Sequence, residues 1–291
     1  MDDRPIGMFD SGFGGLTVAK ALTDLLPSED LVYVGDSGRY PYGPRSLDEV
    51  RNFAAQITRK LVEAHDVKLV VVACNTATAA ALEMLRFDFD VPLVGVIDPG
   101  VRALLSVTRS GRVGVIGTVG AIGSGAYERA VRARRWLTAA GLPVELTCAA
   151  CPGLVELVER GQTRGPEARS LVGRLLAPVV EAGIDSLLLG CTHYPYLART
   201  IGEVMGPDVV LVSSADETAF EVRGILLETG LGRRSVAKGS HRWISSGPVR
   251  NFVRLGQEFF GPDLDHAEHW AAPVPQPARV NPARVKWTST K

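Results

Sequence analysis

Two short apolar runs in this chain end in the same way, and they restrict its fold more than any other feature. Val70-Val71-Val72-Ala73 runs into Cys74-Asn75-Thr76, and Leu187-Leu188-Leu189-Gly190 runs into Cys191-Thr192-His193. Each run is β-branched or leucine-rich, has strand length, and follows a stretch with helical periodicity, the pattern of a buried parallel strand. In open α/β sheets the carboxyl ends of the strands face the ligand crevice. Each cysteine is therefore expected at such an edge, one in each half of the chain.

The halves repeat in order rather than in identity. In the first, Ile6 to Phe9 reads as a strand, Asp10 to Gly15 as a glycine-bearing turn, Leu16 to Leu26 as a helix, and Leu31 to Val34 as a second strand. Ser46 with Glu49 three residues on forms a capping box for a helix carrying Val50, Phe53, Ile57 and Leu61. The first cysteine strand follows, then a strand over 92–97 that ends at Asp98-Pro99-Gly100. The second half reads as strand 112–116, turn 117–120, a helix through Tyr127 to about Leu137, strand 144–147, helix 171–180 and the second cysteine strand. A strand at 209–212 and helices at 215–228 and 249–260 are expected to return to the first half. The predicted fold is α/β, with two pseudo-symmetric doubly wound domains, a central parallel sheet in each and a cleft between them. The domains are expected at 1–98 plus 209–262 and at 99–208, with a proline-rich tail over 263–291.

The 291 residues are enough for two cores. A formal net charge of zero gives no electrostatic reason to expect nucleic acid or an anionic membrane as partner. No apolar stretch reaches the roughly 20 residues of a membrane helix, and Asp2 and Asp3 argue against a signal peptide. Four cysteines do not make a disulfide framework, so reduced thiols in the cytoplasm are expected.

Two thiols at matching strand ends suit one reacting atom approached from opposite faces, with a proton removed on one side and returned on the other. Either cysteine alone reads equally as a small buried hydrophobe. A helix starting after each would supply a dipole that favours the thiolate. His193 lies two residues past Cys191 and can exchange a proton with it. Asp10 is a candidate N-cap for the first helix and a candidate contact for a substrate amine. The turn Gly12, Gly14, Gly15 lacks the G-x-G-x-x-G spacing, because position 17 is threonine. Its N–H groups suit a carboxylate instead, aided by short donors at Ser11, Asn75, Thr76 and Thr192. Cys148-Ala149-Ala150-Cys151 is a C-x-x-C without a second pair, so neither metal nor redox chemistry is expected. No lysine falls at a strand end or glycine turn suited to a Schiff base, so a pyridoxal mechanism is disfavoured.

Together these segments resemble the glutamate racemase family, the cofactor-independent enzymes that make D-glutamate for peptidoglycan. The likeness runs from Ile6 to about Pro262 and is nearest to actinobacterial forms. Its pieces include Phe9-Asp10-Ser11-Gly12, Pro41-Tyr42-Gly43-Pro44, Ala73-Cys74-Asn75-Thr76, Gly117-Thr118 and Gly190-Cys191-Thr192-His193. The resemblance implies Cys74 and Cys191 as the two acid/bases, the first acting on D-glutamate and the second on L-glutamate. It implies Asp10 and His193 as helpers and Glu159 as an auxiliary carboxylate. Ser11, Pro41, Tyr42, Gly43, Asn75, Thr76, Thr118 and Thr192 would contact substrate, and a homodimer is expected. One departure is Ala121, where the family usually carries threonine; Gly123 also replaces a commoner polar residue, and water or Ser124 is a candidate substitute for the missing hydroxyl.

Two rivals stand beside this reading. Aspartate racemase shares single motifs and differs in pocket length. A regulatory binding protein on the same scaffold is the rival of another class, since some members bind DNA gyrase. Neutral charge and the absence of a distinct basic motif give that partner no support here.

Overall fold

In the computed structural model, which describes residues 1–138 and 141–273, the first strand β1 (Ile6–Asp10) is wholly buried. A glycine turn leads to α1 (Leu16–Leu25), β2 (Leu31–Gly35) and α2 (Leu47–His65). Both bonds of the predicted capping box form at the head of α2: the Glu49 N–H donates to Ser46 Oγ and the Ser46 N–H to Glu49 Oε2, each at 3.3 Å. Next come β3 (Leu69–Val72), α3 (Asn75–Asp88), β4 (Leu93–Gly95) and α4 (Ile97–Val107).

The second series follows the same order. It consists of β5 (Arg112–Gly117), α5 (Val119–Gly123), α6 (Ala126–Arg134), β6 (Glu145–Ala150), α7 (Leu154–Glu159), α8 (Pro166–Glu181), β7 (Ser186–Gly190), α9 (Ala198–Met205) and β8 (Val210–Ser213). After it come α10 (Ser214–Thr229), β9 (His241–Ser245), α11 (Val249–Phe259) and β10 (Glu268–His269).

All strand pairs are parallel. One sheet has the order β10-β9-β2-β1-β3-β4 and the other β6-β5-β7-β8. Setting β1 on β5 superimposes β2-β1-β3-β4 on β6-β5-β7-β8, so the repeat inferred from spacing is a repeat of strand order. β3 and β7 occupy equivalent positions, and each carries a cysteine just past its end.

Four expectations need correction. The segment read as strand through Ile97 stops at Gly95, and Ile97-Asp98-Pro99-Gly100 opens α4. Proline is tolerated in a first helical turn, where its missing N–H has no partner to lose. Gly100 is small for a reason: a Cβ there would lie 3.0 Å from both Leu188 and Ser214, which pack against α4. The strand at 210–213 pairs with β7 and completes the second sheet; the return begins with the helix after it, α10 packing on α1. The helix through Tyr127 ends at Arg134 and tightens into a 3₁₀ turn over Arg135–Leu137. The tail begins later than 263, since Leu264 is fully buried and β10 pairs with β9. The prolines at 275, 277 and 282 lie outside the described residues.

Candidate active site

Cys74 is the N-cap of α3, and its Sγ accepts the Ala77 N–H at 3.5 Å. Burial, reinforced by the Asp10 carboxylate, pushes its thiol up to about 12. Asp10, at the end of β1, is fully buried. Its Oδ1 accepts the Gly12 N–H at 2.9 Å and its Oδ2 the Thr192 hydroxyl at 3.5 Å. Burial raises the carboxyl above the usual aspartate range, against the pull of His193. Asp10 does not cap α1, whose N-cap is Gly15. It also stands behind the cavity rather than on its wall.

Cys191 is built differently. A 3₁₀ turn (Tyr194–Leu197) follows it, with α9 only after that, so the helix expected directly behind the thiol is absent. Its neighbour is His193, whose Nδ1 lies 3.8 Å from Sγ. The other ring nitrogen, Nε2, lies 3.3 Å from Glu159 Oε1 at the end of α7. Burial alone would push the imidazole down, but the hydrogen bonds to Cys191 and Glu159 outweigh it and hold it up at about 10. Glu159 thus meets the site through His193 and is not on the cavity wall.

One cavity is lined by both cysteines, by Ser11, Asn75, Thr76, Thr118, Thr192 and His193, and by the loop Tyr40–Pro44. The two halves meet over it. Thr76 Oγ1 and Thr118 Oγ1 lie 2.9 Å apart, and the Gly120 N–H donates to the Gly43 carbonyl at 2.9 Å. Tyr42 lines the cavity, but its hydroxyl donates to buried Asp36 and is not offered to a ligand. Among the described residues no lysine or arginine lines this cavity. An anion there would be held by hydroxyls and backbone N–H groups.

The glycine turn has a different purpose from the one expected. A Cβ on Gly14 would stand 2.3 Å from Thr192 Oγ1 and 2.5 Å from His193 Nδ1. The turn is bare because the Cys191 loop packs onto it, and its only cavity-lining residue is Ser11. Ala121 is buried, and Ser124 does not replace a hydroxyl at the cavity. Its Oγ donates to the Ala121 carbonyl at 2.6 Å and accepts the Ala126 N–H at 3.1 Å. The C-x-x-C splits: Cys151 lines the cavity while Cys148 packs away from it beside Glu128.

Sequence reasoning missed Tyr40 and Tyr127. The Tyr40 ring lies 6.2 Å from that of His193, and its buried hydroxyl has no hydrogen-bond partner. Its neighbours in the Pro41-Tyr42-Gly43 segment were a signal that could have found it. Tyr127 sits in the first turn of α6, with no local signal at all.

The arrangement places two thiols from corresponding strand ends in one cavity, one beside a buried carboxyl and the other beside an imidazole. That set has the groups to move protons. The comparisons with known proteins agree. Residues 16–221 match the model of the Asp/Glu/hydantoin racemases. A glutamate racemase of Acidothermus cellulolyticus is 49% identical, over 91% of this chain and 98% of its own. A solved glutamate racemase isoform from Bacillus anthracis superimposes with a TM-score of 0.85 at 38% identity, over 93% of this chain and 97% of its own. One from Francisella tularensis, solved with D-glutamate, gives a TM-score of 0.83 at 30% identity, over 92% and 97%. Matched along nearly its whole length by relatives of this one kind, the chain belongs to the glutamate racemase family.

Proposed function

We propose that this protein interconverts L- and D-glutamate by two-base proton transfer at Cα, with Cys74 and Cys191 as the bases. The observation that carries this reading is that both thiols line one cavity from equivalent ends of two equivalently ordered sheets. With L-glutamate, the Cys191 thiolate takes the Cα proton and the Cys74 thiol delivers its own to the opposite face. D-glutamate runs the steps in reverse. The electron pair left at Cα is carried in the interval by the substrate's α-carboxylate, whose charge the hydroxyls of Thr76, Thr118 and Thr192 and nearby N–H groups stabilise. Ser11, Pro41, Tyr42, Gly43 and Asn75 complete the binding wall, Tyr42 through its ring and backbone. His193 exchanges a proton with Cys191, and Asp10 and Glu159 set the charge around the thiols from behind.

The chain divides, in this reading, near residue 98, with the return to the first unit at α10. The enzyme works in the cytoplasm as an isologous homodimer, the commonest symmetric assembly, and supplies D-glutamate for peptidoglycan. Among the described residues no helix is long and apolar enough to cross a membrane.

Racemisation in heavy water tests the reading. Product formed from either enantiomer should carry solvent deuterium at Cα while the substrate remaining at early times does not. Equal early labelling of both would indicate a single shared base and exclude the two-thiol scheme. Rates on glutamate and aspartate, measured together, decide the substrate.

A further inference from the structure

The two cysteine-bearing strand ends share a partner whose hydrogen bonds go to neither sulfur. Tyr127, on α6, is fully buried. Its hydroxyl donates to the Gly190 carbonyl at 3.2 Å and receives the Asn75 Nδ2 proton at 2.9 Å. Gly190 precedes Cys191 and Asn75 follows Cys74. A Cβ on Gly190 would stand 2.6 Å from the Tyr127 hydroxyl, so only glycine leaves room for this bridge.

The direction of these bonds is forced. A carbonyl oxygen only accepts, so the single hydroxyl proton of Tyr127 is committed to Gly190. Toward Asn75 the phenol then has only a lone pair to offer, and the Asn75 amide must present its NH₂ there. The amide oxygen is left over. Asn75 Oδ1 is buried without a hydrogen-bond partner, on a residue that lines the cavity. A buried carbonyl left unpaired is costly. Glutamate brings two carboxylates, which accept, and one ammonium, which donates.

Resting on the racemase reading above, we propose that Tyr127 is a positioning residue that locks the Asn75 amide with its oxygen toward the substrate's α-ammonium. The bridge thereby gives the site a fixed acceptor for the amine beside one thiol while tying down the strand end that bears the other.

The test compares two ligands that differ by the amine. L-glutamate and glutarate, a dicarboxylate without the ammonium, are titrated calorimetrically into the wild type and into Tyr127→Phe, which removes one oxygen and keeps the ring. Glutamate should bind about tenfold more weakly to the variant, the effect of one hydrogen bond to a charged group. KM should rise more than kcat falls, and glutarate affinity should not change. Equal weakening of both ligands would mean a merely structural role, and unchanged glutamate affinity would remove Tyr127 from the site; either result overturns the proposal. If Tyr127→Phe does not fold, Asn75→Ala decides. Loss of glutamate affinity alone supports the oxygen–ammonium contact, and equal loss of both ligands overturns it. Because interconverting enantiomers releases no heat, the calorimeter reads binding alone, and failure of wild-type racemisation would be seen separately from failure of this contact.

Discussion

Cys191 Sγ lies 3.8 Å from His193 Nδ1, whereas Cys74 Sγ takes the backbone N–H of Ala77 at 3.5 Å. The two thiols occupy equivalent strand ends but draw on different chemistry. One has an imidazole beside it, the other a fixed dipole and a buried carboxyl at its back.

This asymmetry predicts a directional defect. His193→Asn should slow proton removal from L-glutamate, with a larger primary isotope effect for Cα-deuterated L-substrate than for D-substrate. The equilibrium constant between enantiomers stays at one, so kcat/KM falls equally in both directions while kcat and KM divide differently. Equal isotope effects for the two enantiomers would detach His193 from Cys191.

The same imidazole links stability to pH. Its folded value of about 10 lies above the ordinary 6.5, so between these values the native state holds a proton that the unfolded chain has lost. The stabilisation is complete below pH 6.5 and disappears as pH rises toward 10. Thermal melts should show Tm declining across that window more steeply in the wild type than in His193→Asn. Parallel curves would show that the proton is not held in the native state.

Lys68 offers a test of the fold away from the site. It is almost fully buried, and its Nζ donates to Glu29 Oε2 at 2.5 Å and to the Asp2 carbonyl at 2.8 Å. Lys68→Met leaves a buried carboxylate without its cation and should cost about 3–5 kcal/mol. Urea unfolding measures the loss, and a denaturation midpoint like that of the wild type would contradict it. The folded fraction should keep its KM for glutamate.

The cysteines should divide in the same assay. Cys74→Ser replaces a thiol by a far weaker acid and should lose roughly 10²–10⁴-fold in turnover, the range of general acid–base catalysis. Cys148→Ser, outside the cavity, should stay within about twofold of wild type, since surface-like changes away from a site have small effects. A Cys74→Ser enzyme with near-normal rates would dismiss that thiol.

What the sequence revealed depended on how local the cause was. The strand ends at Cys74 and Cys191 were legible because burial on both faces makes a continuous apolar run, and the Ser46–Glu49 cap because both partners lie within one turn. Asp98-Pro99-Gly100 misled because proline and glycine commonly mark turns, while here Gly100 answers to Leu188, far along the chain. The sheet chosen by Val210–Ser213 depends on pairing with β7, which no window around residue 210 contains. Tyr127 was invisible for the same reason, since its meaning lies in Asn75 and Gly190.

The bareness of Gly14 has a consequence for how such a site can change. Since a Cβ there would collide with the Thr192 hydroxyl and the His193 ring, the turn after β1 and the Cys191 loop meet with no side chain between them, a dimension that substitution can disturb but not tune. Proton transfer needs that spacing whatever the amino acid's side chain. Elsewhere on the wall, Pro152 and Gly153 on the approach to α7, and Val155 within it, line the cavity. A lineage or a designer seeking a longer or shorter substrate would have to work there, leaving the reaction geometry as an inherited constant.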